Sequence, residues 1–101
     1  MIIITGGVTL KPENREAGLA LGCEHSARSR DEPGCLSHRC YVDAEDANRL
    51  HFFEQWADMA AVQTHFAVPE SGQFVAKMGE LAVSDPELAI FSAEQVAGGA
   101  A

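Results

Sequence analysis

Positive charge is scarce in this chain. Seven Lys and Arg stand against fifteen Asp and Glu, a formal charge of −8 across 101 residues. Nucleic acid needs clustered cations to meet its phosphates, and here they are scattered singly, which argues against a nucleic-acid partner. The same scatter leaves no polybasic patch for an anionic membrane surface. No run approaches the ~20 apolar residues that cross a bilayer, so no membrane partner is expected. Met1 to Leu10 lacks the basic start of a secretory leader and runs into Lys11-Pro12, so it reads as a strand, and a cytoplasmic location is expected. Cys23, Cys35 and Cys40 are odd in number and form no CxxC pair, which argues against a disulfide framework or zinc knuckle. Glycine-rich nucleotide loops and haem-attachment motifs are missing as well, so the expectation is no cofactor.

What is present is the composition of an ordinary folded domain, 47% hydrophobic and 22% charged. The length allows one core, expected over residues 1–96, with 97–101 as a loose tail of small residues. So small a domain leaves apolar surface exposed when folded alone, and pairing through a sheet face is expected to make it a homodimer. Ile2 to Thr9 reads as the first strand, with Gly6-Gly7 marking a bulge or a close approach. A helix is predicted from Pro12 or Glu13 to about Glu32, stopped by Pro33-Gly34. Cys35 to Asp43 alternates as a second strand, with Leu36, His38, Cys40 and Val42 on one side and Cys35, Ser37, Arg39 and Tyr41 on the other. Arg49 to Trp56 completes a hairpin. Asp58 caps a short helix over Met59 to Phe66, Val68-Pro69-Glu70 interrupts it, and Ser71 restarts it with Phe74, Val75, Met78 and Leu81 at helical spacing. Glu87 to Val96 is the predicted last strand. The order β-α-β-β-α-β is the ferredoxin-like α+β pattern, with a four-stranded antiparallel sheet.

The first helix is unusual. On a helical wheel Gly18, Gly22, His25, Ser26 and Ser29 share the face that should carry an apolar stripe. Each interior glycine costs about 0.8–1.0 kcal/mol relative to alanine, so something must approach closely. Two explanations compete: tight packing on the sheet with His25 as a satisfied core histidine, or a pocket floored near Gly6-Gly7 and His38 and lined by His25 and Ser29. On the third strand Leu50, Phe52, Glu54 and Trp56 share a face, so one Glu sits among large apolar groups and needs a partner. Trp56 reads equally well as a plain core aromatic, and His65, just before Pro69, as a plain helical residue.

Glu24-His25, Ser29-Arg30, Glu32-Pro33-Gly34-Cys35, Ser37-His38, Phe53-Glu54-Gln55-Trp56-Ala57-Asp58, His65-Phe66 and Val68-Pro69-Glu70-Ser71 follow one another as in antibiotic biosynthesis monooxygenase domains. The chain resembles that family over about residues 2 to 93. The resemblance implies a ferredoxin-like fold, a dimer whose sheets pack face to face as a dimeric α/β barrel, and a cavity between sheet and helices. The family includes cofactor-free oxygenases of quinols and anthrones, haem-degrading enzymes and small-molecule isomerases. The haem-degrading branch is similar at Trp56 and His65 but carries an Asn in the first strand, where this chain has Gly6-Gly7.

An oxygenase without a cofactor draws its electrons from the substrate, and a phenol or quinol reduces O₂ far better once deprotonated. The protein then needs a base, a donor for the phenolate and a dry aromatic cavity. His25 and His65 are the leading bases and His38 the next, since an unperturbed imidazole titrates near 6.5. Ser29 and Arg30 would orient the substrate, although Arg30 also fits a surface or salt-bridge role. Phe52, Trp56, Phe66 and Phe74 would form the walls, with Glu54 among them. The partners expected are a small aromatic substrate and O₂. No metal is expected: Cys35 alternates away from His38 and Cys40, so these three cannot converge without a bulge. The alternatives are a non-catalytic small-molecule binding module, an isomerase of a small carbonyl compound, which Arg28, Arg30 and Arg39 are too dispersed to favour, and a haem-degrading oxygenase.

Overall fold

A computed structural model describes residues 1–99 of the chain. The β-branched start forms β1 (Ile2–Thr9), a 3₁₀ turn follows at Pro12–Asn14, and α1 runs Arg15–Ser29. Strands β2 (Cys35–Val42) and β3 (Arg49–Trp56) make the hairpin; α2 (Met59–Ala67) and α3 (Pro69–Leu81) follow, and β4 (Glu87–Ser92) closes the sheet. All neighbours are antiparallel in the order β2-β3-β1-β4, so this is the ferredoxin-like α+β fold. Among the described residues no helix is long and apolar enough to cross a membrane.

Three boundaries differ from the sequence reading by two residues or more, each for a physical reason. The first helix ends at Ser29, not Glu32, because Asp31 and Glu32 turn their N–H groups to the carbonyls of Arg28 and Ser29. The chain then tightens through Gly34, whose φ of +80° suits a residue without a Cβ. Pro69, and not Ser71, opens α3, because the residue before a proline is pushed into extended backbone and Val68 has ψ 126°. β4 stops at Ser92 instead of Val96, where its register with β1 ends, and Ala93 N–H bonds the carbonyl of Met1. Of the predicted tail, residues 100 and 101 lie outside the described residues. In β2, the pairing shifts between Cys35 and Ser37, so Cys35 lies opposite Trp56 and turns inward while Leu36 is 60% exposed. The predicted alternation therefore fails at this one bulge.

Two apolar clusters fill the space under the helices. Val8, Leu10, Leu50, Phe52, Met78 and Ala82 form one, and Ile2, Ile4, Trp56 and Val62 the other. Along β3 they are separated by Glu54, and above it lie the buried polar groups His25, Ser26, Ser29, His38 and His65. At the packed end, a Cβ on Gly18 would lie 2.5 Å from Leu10, and one on Gly22 would lie 2.8 Å from Cys40 Sγ. These glycines let α1 settle onto the sheet. The polar layer begins one turn later.

Candidate active site

Four elements and one turn deliver the polar layer. His25, Ser26 and Arg28 come from α1, Glu32 from the turn after it, His38 from β2, Glu54 and Trp56 from β3, and His65 from α2. His38 and Glu54 are register partners on adjacent strands, so the pairing of the sheet brings them together. Glu32 accepts from Arg28 at 3.0 Å with one oxygen and from His65 Nδ1 at 2.7 Å with the other. Arg28 also donates to His25 Nδ1 at 2.9 Å. Ser26 Oγ bonds His38 Nδ1 at 2.9 Å, and Trp56 Nε1 donates to Glu54 Oε1 at 2.9 Å. The same Glu54 oxygen lies 3.3 Å from His38 Nε2 and 3.9 Å from His65 Nε2. His38 Nε2 nonetheless makes no hydrogen bond of good geometry.

These partners set the proton positions. A carboxylate only accepts, so Glu32 holds the proton of His65 on Nδ1 and leaves a lone pair on Nε2. A guanidinium only donates, so Arg28 occupies the lone pair of His25 Nδ1, and the neutral ring carries its proton on Nε2. Burial, aided by the neighbouring His38, His65 and Arg28, lowers the pKa of His25 to about 3. His25 is therefore a neutral N–H donor near pH 7. Burial alone would raise the Glu54 carboxyl, but the His38 imidazole, the Trp56 indole and His65 outweigh it and hold the group below its ordinary range. Glu54 is buried and ionised.

A cavity of about 180 Å³ opens between helices and sheet beside this layer. Gly6, Phe52, Glu54, His25, Phe74 and Met78 contribute to its lining, with Val75 and Leu88 towards the outside. Its walls are mainly apolar, and His25 stacks on Phe74 with ring centroids 3.8 Å apart. An apolar cavity of ~150 Å³ accepts benzene, so this one has room for an aromatic ring.

The predicted site residues separate accordingly. His25, His38 and His65 come together, with ring centroids 5.1–5.6 Å apart. Phe52, Glu54 and Phe74 line the cavity. Trp56 is fully buried behind it and packs on His65 at 4.6 Å. Ser29 does not reach the cavity wall: its hydroxyl donates to the His25 carbonyl at 2.7 Å. Arg30 is occupied as a brace, donating to the His38 carbonyl at 2.9 Å. Phe66 is exposed, and neither Ser29, expected to line the cavity, nor His38, expected near its floor, contributes to its lining. That reading missed Ser26, Arg28 and Glu32 as working partners. The i, i+4 spacing of Arg28 and Glu32 was the available signal. The three histidines, unlike the Cys35–His38–Cys40 set weighed from sequence, each offer a ring nitrogen within 4.8 Å of the others.

Fold and site together define a small cavity-bearing ferredoxin-like domain with a buried His–Glu network. Residues 1–77 match the family model of antibiotic biosynthesis monooxygenase, and the chain belongs to that family. It is 36% identical over 90 residues to "Uncharacterized protein sll1783" of Synechocystis sp., covering 89% of this chain but only 61% of that relative's length. It is 31% identical over 81 residues to "Putative monooxygenase YcnE" of Bacillus subtilis, covering 80% of this chain and 85% of that protein. The fold superposes on a Deinococcus radiodurans structure described as "a putative antibiotic biosynthesis monooxygenase", with a TM-score of 0.93, 23% identity and full coverage of both chains.

Proposed function

We propose that this domain is a cofactor-independent monooxygenase that oxidises a hydroxylated aromatic ring, of quinol or anthrone type, with O₂. The observation that carries the reading is an ionised, buried Glu54 on the wall of a ring-sized apolar cavity, backed by the Glu32–His65 pair. A phenolic proton passes to Glu54 and on to His65 Nε2, where the imidazolium sits between two carboxylates. His25 Nε2–H donates to the phenolate oxygen left behind, so His25 acts as donor and not as base. The electron-rich phenolate then reduces O₂ within the dry cavity. The substrate gains one oxygen atom at the activated carbon and gives up two hydrogens, both from the CH₂ of an anthrone or one from the ring carbon and one from the hydroxyl of a quinol. These leave with the other oxygen atom as water, so the substrate supplies every electron. Oxygen uptake with a panel of one- to three-ring hydroxyarenes and anthrones tests this. Turnover should favour the smallest rings and fall ~10²-fold or more in Glu54→Gln and His65→Gln. Undiminished uptake in both variants, or ligand binding with no oxygen consumed, would remove the assignment.

The other face of the sheet is open. Tyr41, Phe53 and Phe91 are 54%, 37% and 51% exposed there, an apolar surface that a second copy would cover. We propose a homodimer through this face. Sedimentation should give a dimer that Phe53→Lys converts to monomer; a wild-type monomer at micromolar concentration would refute it.

A further inference from the structure

We propose that His25, His38 and His65, with Glu54 as fourth ligand, form a binding site for a divalent transition ion of the zinc class. The three rings form a nearly equilateral triangle with centroid separations of 5.1, 5.5 and 5.6 Å. A tetrahedral ion with Zn–N bonds of ~2.0–2.1 Å sets imidazole centroids ~5 Å apart, so ring rotation and not backbone movement completes the site. One nitrogen from each ring already lies within 4.8 Å of the others.

A second observation is independent of that triangle. His38 Nε2 is fully buried and, although 3.3 Å from Glu54 Oε1, makes no hydrogen bond of good geometry, an unusual state for a polar atom. It and His65 Nε2 converge on Glu54 Oε1, at 3.3 and 3.9 Å. Behind them, Glu32 holds His65 through Nδ1 and Ser26 holds His38 through Nδ1. Outer partners of this kind orient metal-binding imidazoles and raise their basicity. Ser26 can accept the His38 Nδ1 proton, freeing Nε2 as a ligand. His25 is the weaker member: to present Nε2 it must lose its Nδ1 bond from Arg28, which Glu32 still retains. Glu32 and Glu54 together outweigh Arg28 by one negative charge, which favours a cation. Imidazole and carboxylate donors suit Zn²⁺, Co²⁺, Ni²⁺ or Cu²⁺ better than Mg²⁺ or Ca²⁺.

The inference goes beyond the oxygenase reading and does not rest on it. An ion here would claim the Glu54 oxygen and the His65 lone pair, so it would silence the proton acceptor. The test is direct: titrate chelator-treated protein with Co²⁺, follow the visible d–d bands, and compete with Zn²⁺. One ion per chain is expected, with four-coordinate band intensity and no thiolate charge-transfer band. His38→Gln and His65→Gln should abolish the bands, and His51→Gln, altering the remaining surface histidine, should leave them unchanged. Because His38→Gln could misfold, ¹⁵N spectra of the wild-type imidazoles provide a second measurement. Zn²⁺ should shift the ring nitrogens of His25, His38 and His65 and not those of His51. Absent stoichiometric binding, bands that survive His38→Gln, thiolate bands, or shifts confined to His51 would each overturn the site.

Discussion

Two glycines flank Phe52 and have opposite consequences. Gly22 on α1 faces Phe52 Cζ and Cys40 Sγ so closely that an added Cβ would lie 2.9 and 2.8 Å from them. The space of its missing side chain is taken by its neighbours. Gly6 on β1 faces the same aromatic side chain from below, but an added Cβ there would make only ordinary contacts at 3.5 Å. The space of its missing side chain remains as cavity. The same residue type therefore marks close packing in one place and an open chamber in the other. Of the two sequence explanations for the odd helix face, tight packing describes Gly18 and Gly22, and of the expected pocket residues Gly6, Gly7 and His25 line the cavity while Ser29 and His38 do not.

That contrast can be broken at each end. Gly22→Val should destabilise the domain by about 1–3 kcal/mol, the usual cost of overpacking a core, read as a lower denaturant midpoint at unchanged slope. Gly6→Val should do the reverse: near-neutral stability, with KM for an aromatic substrate raised about tenfold because the ring's space is filled, or about 1.4 kcal/mol. A loss of stability at position 6 as large as that at position 22 would erase the distinction. A third expectation sharpens the border between the two regions, at His25. Its pKa falls from 6.5 to about 3 on folding, so between those values the unfolded chain holds a proton that the native one lacks. Stability of the chelator-treated protein should therefore decrease as pH falls below 6.5, by up to about 1.4 kcal/mol per unit. In His25→Gln that contribution to the slope should vanish, and an unaltered pH profile of the denaturant midpoint would contradict it.

Much of the fold was legible. Ile2 to Thr9 and Arg49 to Trp56 show the composition of strands, Asp58 caps α2 by accepting from Ala61 N–H, and Pro69 marks the helix break. The shared face of Gly18, Gly22, His25, Ser26 and Ser29 is also the buried face of α1. What escaped was non-local. The bulge that turns Cys35 inward and Leu36 outward depends on pairing with β3, and β4 ends with its pairing to β1. Local periodicity carries neither fact.

The site divides the same way. Sequence alone put Glu54 on an apolar face and His25 on a small, polar one, because strand and helix periods are fixed by backbone geometry. It also selected all three histidines that the fold gathers. Their roles were decided only by contacts between segments distant along the chain. Glu32 reaches His65, 33 positions away, and holds its proton on Nδ1, whereas Arg28 fills the same atom of His25. A proton's place on an imidazole is set by whichever donor or acceptor the fold presents to it. That separates the acceptor His65 from the donor His25, and it is a property of the tertiary structure.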